Sequence, residues 1–189
     1  MTATMPQYDA RLSRAGLVHV RRAEPADRPA LRDLHTRLST KAVYFRYFTA
    51  APNLDGELDR LLRPIDDDHE TLVALIDDNI VGVACYERVE AHAAEVAFLI
   101  DDDHRGVGLA TLLLDILATN ARGNDIAEFR AETLHANAPM MSVFRDCGLQ
   151  YFTCPDADVV HVRIPLVYPA MQEGWPATVV DALRTRRTK

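Results

Sequence analysis

Two features between residues 94 and 111 could do chemistry together. Glu95 is the one acid in an apolar, strand-like run, Ala94-Glu95-Val96-Ala97-Phe98-Leu99-Ile100. Burial there would raise its carboxyl pKa toward a range useful to a general base. Pattern alone also allows a surface acid on a half-exposed strand. After Asp101-Asp102-Asp103-His104 comes a turn with Arg105, Gly106 and Gly108, and then a helical pattern from Leu109. Such a turn leaves backbone N–H groups free at a helix N-terminus, where the dipole favours an anion. Small residues let a phosphate approach the main chain. The stretch therefore reads as a phosphate cradle with a carboxylate on the strand before it. Asp101, Asp102 and Asp103 read as an exposed connector between the two.

Two common owners of glycine turns are excluded. The dinucleotide fingerprint needs a third glycine inside a parallel unit, and here Ala110 and Thr111 stand in its place. The P-loop needs Gly-Lys-Ser/Thr, which is absent. Other titratable groups carry weaker signals. Asp66-Asp67-Asp68-His69-Glu70 lacks the ligand spacing and glycine of a calcium loop and reads as a solvated connector. His104 beside the cradle reads as a loop histidine. Glu132 and His135, at the end of a later strand, are secondary catalytic candidates. No metal site is expected. Cys85, Cys147 and Cys154 match no metal or redox spacing, which points to a reducing, cytoplasmic setting.

Composition sets bounds. The chain has 189 residues, is 48% hydrophobic and 26% charged, and carries a net charge of −7. Nucleic acid is not an expected partner, because binding it needs a basic face. No apolar run reaches the roughly 20 residues of a membrane helix, so no membrane association is expected. The first 20 residues do not read as a signal peptide.

The elements that must position these groups follow from periodicity. Residues 1–16 read as a flexible leader. Residues 17–22 alternate as a half-buried strand does. Leu31, Leu34 and Leu38 recur at helical spacing, and Ser39 and Thr40 end one helix and cap the next. In the aromatic run 41–48, Phe45 and Phe48 read as core, with Tyr44 and Tyr47 presenting hydroxyls at the surface; a wall of an acceptor pocket is the other reading. A short helix begins at Pro52-Asn53 and stops at Pro64. Strands at 71–76 and 80–89 flank the tight turn Asp77-Asp78-Asn79, and 96–100 makes the third strand of a meander. Leu109, Leu112, Leu113, Ile116 and Leu117 share one helix face. A strand at 126–133 leads to Asn137, an N-cap with Pro139 in the first turn, and that helix closes at Gly148. Strands near 149–153 and 158–167 precede a C-terminal tail, 169–189. The expectation is one α/β (α+β) domain over 17–168: a mixed, mostly antiparallel sheet of about seven strands with helices on both faces.

Arg105-Gly106-Val107-Gly108-Leu109-Ala110 resembles Arg/Gln-x-x-Gly-x-Gly/Ala, the pyrophosphate signature of the GNAT acetyltransferase superfamily. The strand before it, the amphipathic helix after it, and the later helix from Asn137 to Gly148 resemble that superfamily's order. The segments Leu38-Ser39, Tyr44-Phe45-Arg46-Tyr47-Phe48, Ala94-Glu95-Val96-Ala97-Phe98-Leu99 and Asn137, Met140-Met141, Val143-Phe144 are similar to bacterial, particularly actinobacterial, protein lysine acetyltransferases of the Pat type. Those proteins often carry a fused regulatory or synthetase-like domain, which this chain has no room for.

The resemblance implies acetyl-CoA as co-substrate. Arg105 and the backbone of Gly106, Val107, Gly108, Leu109, Ala110 and Thr111 would hold its pyrophosphate. Phe98, Leu99 and Ile100 would pair with the pantetheine arm where two strands splay, and Asn137 and Phe144 would border it. For Phe144 simple core packing is equally open. The resemblance also makes Glu95 the general base toward an amine. A lysine has a pKa near 10.4, so neutralising it at pH 7 costs about 4.6 kcal/mol, against about 1 kcal/mol for an α-amine. Many superfamily members have a tyrosine acid where this chain has Phe144, so Tyr151 or a water would serve the leaving thiolate, or it leaves unassisted. Three functions remain: a protein lysine N-acetyltransferase, with an acyl-CoA synthetase as the family-level expectation for its substrate; a small-amine or antibiotic acetyltransferase; or a non-catalytic acetyl-CoA sensor. A monomer or a homodimer is expected.

Overall fold

The structure is a computed structural model that describes residues 7–166. Eight strands form one sheet in the order β1-β2-β3-β4-β5-β6-β8-β7. They are β1 (Gln7–Leu12), β2 (Gly16–Arg22), β3 (His69–Ile76), β4 (Asn79–Glu90), β5 (Ala93–Ile100), β6 (Glu128–Leu134), β7 (Phe152–Asp156) and β8 (Val159–Pro165). The helices are α1 (Arg28–Arg37), α2 (Thr40–Tyr47), α3 (Leu54–Leu61), α4 (Leu109–Gly123) and α5 (Ala138–Asp146). Every strand pair is antiparallel except β5 with β6. The mixed, mostly antiparallel sheet with helices on both faces is as expected, with one strand more.

The additional strand corrects the reading of residues 1–16 as a flexible leader from Gln7 onward; residues 1–6 lie outside the described residues. Residues 7–12 pair with β2 from Gln7–Arg21 to Leu12–Gly16. Gly16 at φ +78 helps turn the chain between them. The strand alternates exposed and half-buried residues with no fully buried one, so its apolar signal is weak in the sequence. The expected tail at 169–189 lies outside the described residues.

Each sheet face has its own core. One cluster joins Val20, Leu72, Tyr86, Val96 and Phe129 to Leu109, Leu113, Leu114 and Leu117 of α4 and to Phe144 of α5. The other joins Val73, Val83, Cys85 and Leu99 to Leu31 and Leu34 of α1 and Leu58 and Leu61 of α3. Period-2 strands between two period-3.6 helix stripes produce this division. The helix caps are those the sequence indicates: Ser39 Oγ accepts from Ala42 N at 3.2 Å, Asn53 Oδ1 from Gly56 N at 3.2 Å, and Asn137 Oδ1 from Met140 N at 3.3 Å. His69 and Glu70 belong to β3 and are fully buried, so the solvated connector is shorter than expected.

The feature that positions the site is a parting of strands. β5 and β6 pair only from Ala93–Glu128 to Glu95–Arg130. Beyond that rung β5 stays paired with β4 as far as Ile100–Gly82, and β6 with β8 as far as Leu134–Val159. The edge of β5 over residues 98–100 therefore faces a gap in the sheet rather than another strand.

Candidate active site

The gap opens into a cleft of about 900 Å³. At one end is the glycine turn. Gly106 and Gly108 sit at φ +69 and +96, in the left-handed region where a side chain is strained. Gly108 is the N-cap of α4 and supplies no side-chain cap, so the first turn of α4 has N–H groups free for an anion. A Cβ on Gly106 would meet nothing within 4 Å, whereas one on Gly108 would approach Leu12 at 3.8 Å. Leu12 of β1 thus walls the cleft, a contribution concealed by the leader reading.

All the residues expected to hold the co-substrate line this cleft except Val107, which packs against the core. Phe98, Leu99 and Ile100 form its strand wall. Asn137 and Phe144 lie opposite, on the α5 side. Phe144 is fully buried in the core, so packing and bordering the cleft are both true of it. Tyr151 packs against the core and His135 lies outside the cleft, its N–H donating to Asp158 O at 3.0 Å. Cleft volume, free N–H groups and an unpaired strand edge together fit an extended thioester with an anionic end.

The aspartates after β5 are more than an exposed connector. Asp101 is buried; its Oδ2 accepts from Arg37 Nε of α1 at 3.0 Å, and its Oδ1 from Asp103 N at 3.1 Å. Asp102 Oδ2 accepts from the backbone N–H of Ser39, the N-cap of α2, at 2.7 Å, while Oδ1 is ion-paired with Arg105 at 2.5 Å. Partial burial pushes the Asp102 carboxyl up, but the Ser39 N–H and Arg105 outweigh it and hold the pKa below the usual carboxylate value. Two carboxylates therefore tie α1 and α2 to the glycine turn. His104 also lines the cleft, with Nδ1 3.9 Å from Asp101.

The other end of the cleft is built by side chains. Glu95 lies on its wall, as do Ala42, Phe45, Arg46 and Phe48 from α2 and its C-cap. Glu95 is exposed, which removes the expected burial. Its strand neighbours Ala94 and Val96 point to the α4 core, whereas Glu95 points to the opposite face, at the margin of α2. Opposite it on β4 stands Glu87. Two like charges across a rung are unfavourable, and Arg60 of α3 compensates by donating to Glu87 at 2.8 Å.

Phe48 and Phe45 are not core as expected. Phe48 is 39% exposed at φ +55 and Phe45 is half-buried, both on the cleft wall. Tyr47 turns inward instead. His35 Nδ1 must donate to Leu31 O at 2.7 Å, so its Nε2 accepts from the Tyr47 hydroxyl at 2.6 Å. Burial lowers the His35 pKa, which suits that neutral form, and raises that of Tyr47. Arg46 donates to Glu57 at 3.1 Å and lies over the Tyr47 ring. Burial pushes the Glu57 carboxyl up, but Arg60 and Arg46 hold it below the usual range. This buried set fixes α2 and α3, and with them the aromatic wall.

Among the described residues no cluster of three or more His, Cys, Asp or Glu is placed to hold a metal ion, and no helix is long and apolar enough to cross a membrane.

Comparison with known proteins agrees with this geometry. Residues 30–149 match the acetyltransferase (GNAT) family. The GNAT domain of S. lividans PAT is 30% identical with a TM-score of 0.77, over 84% of this chain and 96% of that one. The yncA protein of Salmonella typhimurium, solved with its cofactor acetyl-CoA, shares the fold at 17% identity and a TM-score of 0.65, over 84% of this chain and 99% of that one. A cAMP-binding acyltransferase from Mycobacterium smegmatis shares it at 20% identity and a TM-score of 0.60; 95% of this chain matches 53% of that longer one. The signature turn, the parted strands and these matches together make the chain a member of the GNAT acetyltransferase family, an acyltransferase with acetyl-CoA as its co-substrate.

Proposed function

We propose that the chain acetylates the side-chain amine of a protein lysine, with Glu95 as general base. The observation that carries this reading is the place of Glu95. It stands on the cleft wall at the last rung joining β5 to β6, where the gap for the thioester arm begins. A carboxylate there and an acetyl group carried along the β5 edge share one space.

In this reading the N–H groups at the start of α4, with Arg105, bind the pyrophosphate, and residues 98–100 pair with the pantetheine arm. Glu95 removes a proton from the lysine ammonium. The freed nitrogen lone pair attacks the acetyl carbonyl carbon to give a tetrahedral adduct. As this collapses the carbon–sulfur bond breaks, CoA leaves as its thiolate, and the nitrogen gives up its second proton to the thiolate or to water, leaving a neutral amide. A base is needed because neutralising lysine at pH 7 costs about 4.6 kcal/mol. Glu95 is exposed in the free protein; a docked acceptor would cover it and strengthen its pull on the ammonium proton.

The exposure of Glu95 also supports a macromolecular acceptor. Sites for small molecules usually enclose most of the ligand, while this carboxylate faces outward beneath an aromatic lip. The likeness to S. lividans PAT and the Pat-like segments support the same choice; an acyl-CoA synthetase is the candidate substrate only as the family-level expectation. The test is incubation with labelled acetyl-CoA and either cell extract or a panel of small amines. Label on lysines of discrete protein bands is the expected result. Turnover confined to small amines would sink the lysine reading.

A further inference from the structure

We infer that Glu132 is the acceptor-binding carboxylate of this site, holding the incoming ammonium while Glu95 deprotonates it; this rests on the amine-acceptor reading above. Glu132 lies on the cleft wall with Glu95. Arg130 is the rung partner of Glu95, and Glu132 is two residues further along β6. With a side-chain period of 2, all three share one face of the sheet. Glu132 thus stands on the β6 side of the gap, just beyond the last rung that holds Glu95. The two carboxylates therefore flank the point where β5 and β6 part.

The charges around them leave a place for a cation. Arg130 stands between, but it is engaged by Glu90 at 2.6 and 2.8 Å and by Glu128 at 2.9 Å. Arg46, the cation on the α2 wall, is engaged by Glu57. Among the described residues neither Glu95 nor Glu132 is paired with a lysine or arginine. The ionic partner of Glu132 is His161, directly across the β6–β8 ladder, with Nδ1 3.2 Å from Oε1. The imidazole lies beside Oε1 of Glu132 and leaves Oε2 for a ligand. Asp156 lies 4.0 Å from the far nitrogen of the same ring. The Glu132 side chain is 54% exposed, so an acceptor reaches it without rearrangement of the core. Position, charge and access thus coincide on one residue, and its ligand is a primary ammonium.

The experiment compares wild type with Glu132→Gln, an exposed substitution that leaves the fold intact. It measures acetyl transfer to a synthetic lysine peptide and calorimetric binding of that peptide to the protein saturated with CoA. A matched peptide with norleucine replacing the lysine serves as control. The expected result is about a tenfold rise in peptide KM and Kd, from loss of one charge-assisted contact. Expected too are little change in kcat or CoA affinity and no effect of the substitution on norleucine-peptide binding. Equal lysine-peptide Kd for wild type and variant would overturn the inference, as would an equal loss with norleucine, which would mark a structural role. Absence of transfer by wild type sinks the lysine reading instead, and the binding comparison still decides the role of Glu132.

Discussion

The two ends of the cleft are built differently. The co-substrate end is mainly backbone: two glycines at positive φ, an uncapped helix start and an unpaired strand edge. Side chains from α2, β5 and β6 build the acceptor end, brought together from residues 42 to 132. A backbone site is rigid because the ladder and helix that form it are rigid, and it tolerates change at most side chains. A side-chain site is adjustable, and its specificity changes with single residues. In the proposed function the shared chemistry sits on the first kind of surface and selectivity on the second.

Substitutions at the two ends should therefore separate cleanly. The largest loss of CoA affinity is expected at Gly108. Gly108→Val strains a residue at φ +96, and CoA affinity by calorimetry should fall on the order of 100-fold. Gly106→Asn, at φ +69 with open space around it and a residue tolerant of that conformation, should cost far less. Equal losses at both positions would mean that bulk rather than backbone conformation governs the turn.

A smaller effect is expected where the two ends are joined. Asp102 bridges Arg105 and the N-cap of α2. Asp102→Asn should raise KM for both acetyl-CoA and acceptor by roughly three- to tenfold. A change confined to acetyl-CoA would show that the bridge does not position α2.

The smallest effect concerns stability. The Asp102 carboxyl is held below its usual 3.8 in the folded protein. Its contribution is fully present above that unfolded value and is lost as pH falls through the lower folded one. The melting-temperature gap between wild type and Asp102→Asn should be constant above about pH 5 and close progressively below it, corresponding to no more than about 1 kcal/mol for so accessible a group. A gap that widens with acid would reverse the assigned sign.

The same contrast explains what the sequence shows. The glycine turn is legible because its spacing excludes the other common glycine motifs and its setting, a strand before and an amphipathic helix after, is a local pattern. Asn137 as a cap and the stripe of α4 are legible through local chemistry and period. The parting of β5 from β6 is legible only through the family resemblance and not in the residues themselves, because both strands remain fully paired on their other sides. Phe45 and Phe48 read as core because aromatics usually are, yet the αL cap at Phe48 turns its ring to the cleft. Glu95 stands out as an acid in an apolar run and alternation sets its face, but that this face is open at Glu95 while Leu99 further along it is covered by α1 and α3 is decided by elements remote in sequence. Residues 7–12 look like a leader because half-buried edge strands have little hydrophobic pattern to detect. Asp101 and Asp102 look solvated because their partners, Arg37 and Ser39, are remote in sequence.

Glu95 as general base is the central claim, and the rate of acetyl transfer by Glu95→Gln across pH tests it most directly. With a lysine acceptor at pH 7, kcat should fall about 10²- to 10⁴-fold. It should recover as pH rises toward the pKa of lysine itself, near 10.4, while CoA affinity is unchanged. A kcat equal to that of wild type at pH 7 would contradict the claim.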